Sequence, residues 1–394
     1  MADAILTLNA GSSSIKFSLF RVGAAGDLMV ALHGQIEEID AAPHFVAHGA
    51  GGTVLADRRW PDGRPSFNTL LETILGWIEA HLGADRLAGV GHRVVHGGPK
   101  HHEPERVTPA LLAALDGLVP LAPLHIPHNL APIRAISAVR PGLPQVACFD
   151  TAFHHTMPPT ATRFAIPREF EALGVRRYGF HGLSYEYIAR QLGRVAPELA
   201  KGRVIAAHLG NGASLCAMQH GRSVDTTMGF TALDGLVMGT RCGAIDPGVL
   251  LYLEQERGLT SGQVEDLLYR RSGLLGLSGG ISSDMRCLLE STDPAARAAI
   301  DVFVYRIARE AGGLVSSLGG LDGIVFTAGI GEHAAEIRAL TCARLGWLGV
   351  TVDPAANAHG APVISTPSSR VEVRIIPTDE EAMIALHTVQ IIGK

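Results

Sequence analysis

With 394 residues, 47% of them hydrophobic and only 18% charged, the chain is long enough for two domains and is not disordered in composition. Its net charge of -5 and its pI near 6.4 argue against nucleic acid as a partner, so an anion would have to be met by local basic residues. Five scattered cysteines without a C-x-x-C pair, and no signal sequence or run of ~20 apolar residues, predict a cytoplasmic protein with no disulfide framework and no membrane partner.

The first predicted element is a β-hairpin over residues 5–20. In its second run Ile15, Phe17 and Leu19 alternate with polar residues at the strand period. The turn holds a glycine and three serines, so its N–H groups, its hydroxyls and Lys16 could contact a phosphate. Lys16 is one of only four lysines in the chain, which argues against a generic solubilising role. A tight serine-rich hairpin with an edge lysine is the alternative.

Between this hairpin and residue 150 the pattern alternates strands and helices. Short alternating runs after residue 22 predict further antiparallel strands. Arg93 lies in a short strand that ends in glycines, and Asp150 follows an apolar strand at its carboxyl end, where α/β sheets tend to bind ligands. The helices predicted here cover about 67–82, about 109–118 with Thr108 as cap, and a stretch ending near 139 after a proline-rich loop at 120–129.

The second half begins the same plan again. Residues 203–217 are a predicted strand, a Gly/Asn/Ser turn and a second strand. A third glycine turn follows the strand predicted at 323–327 and is expected at a helix N-terminus, where N–H groups favour an anion. A helix over about 300–318, a strand over 371–376 and a last helix complete the pattern. Two halves that each begin with strand–turn–strand predict a duplicated α/β fold with a cleft between the copies.

The glycine turns suggest a nucleotide, although the common nucleotide signatures are missing. The only Gly-Lys pair is at the C-terminus, and Gly329 and Gly331 lack the third glycine of the dinucleotide fingerprint, so a P-loop and a Rossmann site are both disfavoured. The remaining plan places an adenine nucleotide between two domains whose hairpin loops hold its phosphates. Actin, the hexokinases and the Hsp70 ATPase share this plan.

Taken together, the motifs resemble those of the acetate kinases, within the acetate and sugar kinase/Hsp70/actin superfamily. The resemblance implies two actin-like (ribonuclease H-like) domains, 1–152 plus 380–394 on the acyl substrate side and 153–379 on the nucleotide side. It also implies reversible transfer of the γ-phosphoryl of ATP to acetate, giving acetyl phosphate and ADP, with Mg²⁺ or, in its place, Mn²⁺. A homodimer is implied as well. The matching segments are 9–16, 92–98, 123–129, 149–154, 178–182, 208–212, 225–235, 239–247, 282–286, 327–332 and 377–384.

Two arginines and a histidine are the predicted centre of the chemistry. A carboxylate is already ionised at pH 7 and needs no general base, so the difficulty is to bring it against a triphosphate. Arg93 and Arg241, in glycine-flanked loops of different halves, could hold the carboxylate and the transferring phosphoryl. By resemblance these arginines do so, and His181 stabilises the transition state. A structural ion pair is the alternative for each arginine.

Two carboxylates, Asp150 and Glu380, and the side-chain amide of Asn9 complete the predicted centre. By resemblance Asp150 lies at the catalytic centre, where we expect it to orient the magnesium shell and the arginines; an N-terminal cap for the turn that follows it is the alternative. Glu380 and Asn9 match the family's magnesium neighbourhood. Thr378-x-x-Glu381 matches a capping box, which predicts a structural role for Glu381. The 18 histidines show no H-E-x-x-H motif and no cysteine support, so a transition-metal site is not expected.

The resemblance also assigns binding residues. The acyl pocket is expected to include Val95, Leu124, His125, Phe180 and Ala232, together with Arg93. The nucleotide is expected at Ser12, Ser14, Lys16, His208, Leu209, Gly210, Asn211, Gly212, Asp284, Met285, Arg286, Gly329, Ile330, Gly331, Glu332 and His333.

The sequence departs from the family pattern at several positions near these motifs. Ala232 stands where the usual motif has proline, and the lost ring could widen the acyl pocket. We therefore expect propionate to compete better here than in a typical relative. The other departures are Ile126, His128, Leu183, Tyr185, Cys242 and Ala244.

Two other functions stay open at this stage. A propionate or butyrate kinase would use the same scaffold. An Hsp70-like or actin-like nucleotide switch would use the same phosphate loops without a small-molecule acceptor, but it would need a partner-binding extension. The apolar helix over 300–318 could lie in the homodimer interface or in the core of its own domain.

Overall fold

A computed structural model of the chain describes residues 2–11, 14–24, 26–39, 41–60, 65–122 and 125–393. These residues form two compact units, residues 1–152 with 379–394 (unit 1) and residues 153–378 (unit 2). The expected domain division differs from these units by one residue, Asp379. That one domain holds the acyl substrate and the other the nucleotide stays a prediction.

Unit 1 is built on an eight-stranded sheet with the order β5-β4-β3-β2-β1-β6-β8-β7. Strands β1 to β5 are antiparallel neighbours, whereas β1, β6 and β8 run parallel, so their carboxyl ends meet at one edge. The predicted hairpin is confirmed, with Asn9 opposite Lys16. The strands are β1 Asp3–Ala10, β2 Ile15–Val22, β3 Leu28–Glu37, β4 His44–Gly49, β5 Val54–Arg59, β6 Arg86–Val94, β7 Glu105–Arg106 and β8 Gln145–Phe149.

Helices cover both faces of this sheet: α1 Phe67–His81, α2 Pro109–Asp116, α3 Ile126–Val139 and, from the end of the chain, α16 Glu380–Ile392. Helix α1 buries the five predicted leucines and isoleucines of its central turns, and Thr108 caps α2 by accepting from the N–H of Leu111. Helix α3 begins at Ile126, inside the stretch expected to be loop. Helix α16 packs closely on β6 because Gly91 has no side chain; a Cβ there would lie 2.5 Å from Ile384 Cγ2.

Unit 2 contains a five-stranded sheet with the order β11-β10-β9-β12-β13. The predicted strand–turn–strand is β9 and β10, and β9, β12 and β13 are parallel. The strands are β9 Arg203–Leu209, β10 Ala213–Gln219, β11 Arg222–Thr226, β12 Gly323–Thr327 and β13 Glu372–Ile375. The helices are α4 Pro159–Thr162, α5 Arg168–Ala172, α6 Gly182–Val195, α7 Pro197–Ala200, α8 Pro247–Gln255, α9 Ser261–Arg270, α10 Gly273–Leu277, α11 Met285–Glu290, α12 Pro294–Leu318, α13 Ala328–His333, α14 Ala335–Arg344 and α15 Pro354–Ala358.

Helix α12 belongs to the core of unit 2. It begins at Pro294, earlier than the apolar pattern predicted, because Asp293 caps it and Pro294 fits the first helical position. Its apolar residues, among them Ile300, Phe303 and Ile307, are buried within the unit. The predicted core role is therefore confirmed, while a homodimer interface on the rest of this helix stays a prediction. In the described ranges no helix combines the length and the apolar character needed to cross a membrane.

Candidate active site

The carboxyl edge of the unit 1 sheet brings three predicted residues together. Asn9, Arg93 and Asp150 lie at or next to the ends of β1, β6 and β8. The Arg93 guanidinium donates to both carboxylate oxygens of Asp150, at 3.0 Å from Nε and 2.5 Å from Nη2, and its Nη1 donates to Asn9 Oδ1 at 3.2 Å. Asp150 is fully buried, whereas the Arg93 side chain keeps 21% of its surface exposed. The aspartate thus holds one edge of the guanidinium in a fixed orientation.

Glu380 joins this cluster from the first turn of α16. Its Oε2 lies 3.6 Å from Arg93 Nε. Burial raises the pKa of Glu380 to about 7, although Arg93 acts in the opposite direction. Burial alone would lower the pKa of Arg93, but the Asp150 and Glu380 carboxylates raise it above its ordinary value.

The predicted capping box at Thr378 and Glu381 is wrong. Asp379 is the cap of α16, and its carboxylate accepts from the N–H of Ala382 at 2.8 Å. Thr378 lies one residue too early, and its hydroxyl bonds to Ser184 at 2.8 Å instead. Thr378 and Asp379 both carry a side-chain oxygen that can cap a helix, and the spacing to Glu381 favoured Thr378, which is not the cap.

The raised pKa of Glu380 predicts how the stability of the metal-free protein depends on pH. The pKa of Glu380 is about 7 in the folded chain, whereas its ordinary value is 4.5. Between these values the folded chain holds a proton that the unfolded chain has lost, so stability falls as the pH rises. With EDTA present, the free energy of unfolding should fall by up to about 3 kcal/mol over this range relative to Glu380→Gln. Urea unfolding from pH 4.5 to 8 measures this. Glu72→Gln, on an exposed carboxylate of α1, is the control; equal slopes for Glu380→Gln and wild type would contradict the prediction.

Lys16 lies beside this cluster on β2. It is exposed, and its charge lowers the pKa of Glu380. It lines a cavity of about 460 Å³ together with Gln35, Asp379 and Glu381. Ser14 closes the hairpin turn through its carbonyl, which accepts from the N–H of Gly11 at 2.9 Å. Ser12 and Leu124, also predicted to bind ligands, lie outside the described residues.

Asn129 fixes the predicted acyl-binding segment. Its side chain accepts from the N–H of Val95 at 2.9 Å and donates to the carbonyl of Ala10 at 2.8 Å. The buried amide thus ties the segment after β6 to the end of β1. Val95 is buried, and His125 is half-buried at the N-terminus of α3. Asn129 carried no assigned role in the sequence, and its position in the 123–129 segment was the only signal.

In unit 2, two predicted catalytic side chains converge on Gly212. This glycine ends the β9–β10 turn, which the N–H of Gly210 closes by donating to the Gly212 carbonyl at 3.0 Å. A Cβ on Gly212 would lie 2.9 Å from Arg241 Nη2 and 3.2 Å from His181 Nε2. The space that a side chain would fill is therefore bordered by a guanidinium and an imidazole nitrogen. This is the arrangement expected for donors to a phosphoryl oxygen.

Backbone contacts of its loop set the position of Arg241. Its Nη1 donates to the carbonyl of Ala232 at 2.6 Å, so Ala232, predicted for the acyl pocket, also orients the guanidinium through its main chain. Gly243 adopts a φ of +70°, and a Cβ there would lie 2.3 Å from the Leu236 carbonyl. Only glycine allows this close return of the chain after Arg241.

His181 has an unusual backbone conformation for a non-glycine residue, with φ of 59° at the start of α6. Its ring stacks on His208 at 4.2 Å between centroids, and its Nδ1 lies 2.9 Å from Ser214 Oγ. His208 Nδ1 lies 2.8 Å from Ser184 Oγ. Two predicted histidines thus form one stacked pair. Phe180 beside them is buried, and its carbonyl lies 2.9 Å from His154 Nε2.

The third glycine turn is a short helix, α13, rather than a loop before one. Ala328 begins it with a φ of 63°, and Glu332 accepts from the N–H of Thr378 at 3.1 Å. Arg338, which carried no role in the sequence, is buried and donates to the carbonyls of Gly331 and Glu332 at 3.0 and 2.8 Å. The expected phosphate segment is therefore braced by a residue that no motif identified.

Most of the other residues predicted to bind the nucleotide have structural roles in unit 2, as helix caps, hydrogen-bond partners or buried side chains. Asp284 caps α11 by accepting from the N–H of Arg286 at 2.9 Å, and Met285 is buried. The Asn211 carbonyl accepts from the N–H of Gly239 at 2.9 Å, which joins the β9–β10 turn to the Arg241 loop. Leu209 is buried in β9, while Ile330 is half-buried and His333 is exposed.

The side-chain oxygens of unit 1 suit a magnesium ion that takes most of its ligands from a bound phosphate compound and water. Glu380 and Asn9 offer hard oxygen ligands, and the side chains of both contact Arg93. In the described part of the chain no group of three or more His, Cys, Asp or Glu side chains could hold a metal by itself. Mg²⁺ in phosphoryl-transfer sites takes one or two carboxylates, with phosphate oxygens and water in the other positions. The residues present fit this mode.

Comparison with known proteins places the chain in one family. The sequence model of the acetokinase family matches residues 4–386. The chain is 55% identical to an acetate kinase of Rhodopseudomonas palustris over 392 residues, 98% of each chain, and 53% identical to one of Nitrobacter hamburgensis over 99% of this chain and 96% of the relative.

Two solved structures are similar over nearly the whole length. A propionate kinase from Francisella tularensis is 35% identical, with a TM-score of 0.91 over 99% of this chain and 100% of its own. The acetate kinase of Porphyromonas gingivalis is 36% identical, with a TM-score of 0.87 over 100% of both chains. These structural neighbours confirm the predicted α/β fold of two actin-like domains, and the chain belongs to the acetokinase family.

Proposed function

We propose that the protein is an acetate kinase, which transfers the γ-phosphoryl of ATP to acetate and reverses the reaction from acetyl phosphate and ADP. The observation that carries this proposal is the convergence of Arg241 Nη2 and His181 Nε2 on the open side of Gly212. Family membership and the acetate kinase relatives supply the identity of the substrates. The transferring phosphoryl spreads negative charge over three oxygens, and fixed donors of this kind stabilise it.

In unit 1, Arg93 is suited to hold an anion. Asp150 and Asn9 fix the guanidinium, while part of its side chain stays exposed. Asp150 itself is a poor general base, because it is fully buried and both its oxygens already accept from Arg93. Acetate needs no base, since it is ionised at neutral pH. We therefore assign Asp150 to positioning Arg93.

The metal would be Mg²⁺, held by Glu380 and Asn9 together with substrate phosphate oxygens. When bound, it neutralises charge on the phosphates during transfer. The half-protonated Glu380 expected near pH 7 would release its proton on binding a cation. The oxygen ligands alone do not favour Mg²⁺ over Mn²⁺.

Trapping of acyl phosphate with hydroxylamine tests the proposal. The purified full chain, ATP and Mg²⁺ are incubated with acetate, propionate or butyrate, and ATP hydrolysis is measured without any acid. We expect acyl hydroxamate with acetate at the highest kcat/KM. Preference for propionate or butyrate would replace the proposal by the alternative kinase on this scaffold. ATP hydrolysis without hydroxamate from any acid would favour a nucleotide switch.

Ala232 should make the acyl pocket tolerant of a longer acid. Its side chain is small where the family motif has proline, and its carbonyl, which a proline would keep, orients Arg241. Ala232→Pro should raise the ratio of acetate to propionate kcat/KM by roughly 10-fold, since one methylene in an apolar pocket is worth about 1–3 kcal/mol. Steady-state kinetics with both acids measure this. An unchanged or lower ratio would contradict the role of Ala232.

We infer a homodimer from an apolar helix that has no buried residue. In α8, Leu251 and Tyr252 are 54% and 52% exposed, and Val249 is exposed too. Such a helix is typical of an interface between subunits. Sedimentation should give a dimer for the wild type and a monomer for Leu251→Glu/Tyr252→Glu. A monomeric wild type would overturn the inference.

A further inference from the structure

The ring of His181 is linked to a buried pair of hydroxyl groups that the motifs did not identify. Its Nδ1 lies 2.9 Å from Ser214 Oγ, and Ser214 Oγ lies 2.5 Å from the Tyr185 hydroxyl. Both Ser214 and Tyr185 are 0% exposed, so water does not complete their hydrogen bonds. Tyr185 is also one of the positions where the sequence departs from the family pattern.

The hydrogen-bond requirements of these groups determine where the protons lie. In the described chain, the Tyr185 hydroxyl has Ser214 Oγ as the acceptor for its proton, and its oxygen also accepts a hydrogen bond from the backbone N–H of His208. Ser214 has the Tyr185 oxygen and His181 Nδ1 as acceptors. If Tyr185 donates to Ser214 and Ser214 donates to Nδ1, every proton has an acceptor.

Each arrangement with a proton on Nδ1 leaves a buried hydroxyl proton without an acceptor. If His181 donates to Ser214 and Ser214 donates to Tyr185, the phenol proton is left over. If His181 and Tyr185 both donate to Ser214, the serine proton is left over. A buried unsatisfied donor costs about 1–3 kcal/mol, which is enough to select one arrangement.

We propose that Ser214, oriented by Tyr185, is a positioning residue that donates to His181 Nδ1 and so holds His181 as the neutral tautomer with its proton on Nε2. Nε2 is the atom that borders the space beside Gly212. The imidazole thereby presents a fixed N–H donor next to Arg241. The consequence for catalysis rests on the proposed acetate kinase function, whereas the tautomer does not depend on it.

The tautomer is measured first in the unmodified protein. In the ¹⁵N NMR spectrum of histidine-labelled full-length protein, His181 is assigned by the signals lost in His181→Asn. We expect a proton on Nε2 and none on Nδ1. A proton on Nδ1 of His181 in the wild type would overturn the proposal, whether or not the protein phosphorylates acetate.

Variants then separate positioning from stability. Ser214→Ala should give a mixture of tautomers and lower kcat about 10-fold with little change in either KM, less than the roughly 100-fold loss when a direct donor is removed. Tyr185→Phe should keep the tautomer and lower kcat less. Tyr185 acts through Ser214, so adding Tyr185→Phe to Ser214→Ala should not lower kcat further.

The same double variant should be more stable than Ser214→Ala alone, because it removes the phenol proton that Ser214→Ala leaves without an acceptor. Thermal unfolding measures this difference and shows that each variant folds. An unchanged tautomer and kcat in folded Ser214→Ala, or independent losses from the two changes, would overturn the proposal.

Discussion

Gly212→Ala should lower kcat by about 100-fold or more while leaving the protein folded. The added Cβ would lie 2.9 Å from Arg241 Nη2 and 3.2 Å from His181 Nε2, so it fills the space that both donors border. Loss of even one donor to a developing anion typically costs about 100- to 1000-fold. Gly212 does not have a positive φ, so its backbone tolerates alanine. Steady-state kinetics and thermal unfolding measure the two effects separately.

Gly313→Ala is the matched control for this experiment. Gly313 lies within α12, and a Cβ there would meet no atom within 4 Å. Alanine should therefore leave kcat unchanged and stabilise the helix by about 0.5–1 kcal/mol. If folded Gly212→Ala kept the wild-type kcat, the space beside Gly212 would not hold the reacting group, and the main support for the proposed function would be lost.

Local patterns predicted most of the fold, because they depend on residues close together in the chain. The alternation in Ile15–Val22 and the helical spacing in Phe67–His81 correspond to elements in the structure. Parallel strands made the approach of Arg93 and Asp150 predictable, since their carboxyl ends meet at one edge. The predictions were wrong at the ends of elements, such as the cap of α16, because neighbouring residues there can take the same role.

The supporting contacts of the candidate site were not predictable in this way. Ser214 and Tyr185 join residues that lie 29 to 33 positions apart, and no local pattern links a strand serine to the start of a helix. Arg338 braces α13 from the next helix, although an arginine in a polar helical pattern is normally taken as exposed. These roles depend on tertiary packing, so only the folded chain reveals them.

Arg93→Met should abolish most of the activity and also destabilise the protein. The fully buried Asp150 carboxylate would lose its partner, and an unpaired buried charge costs about 3–5 kcal/mol. If Arg93 contacts the reacting anions, kcat/KM for acetate should fall roughly 1000-fold, at the upper end of the loss for one fixed donor. Kinetics at pH 8 and urea unfolding give the two values.

The double variant Arg93→Met/Asp150→Asn distinguishes catalysis from structure. Neutral asparagine removes the unpaired charge, so most of the lost free energy of unfolding should return. A structural ion pair, the alternative that the sequence left open, predicts that activity returns together with stability. A guanidinium that binds the substrates predicts a stable protein that stays inactive, because Asp150 contributes only by holding Arg93 in place. Recovery of acetate phosphorylation in the double variant would therefore exclude Arg93 from the catalytic residues.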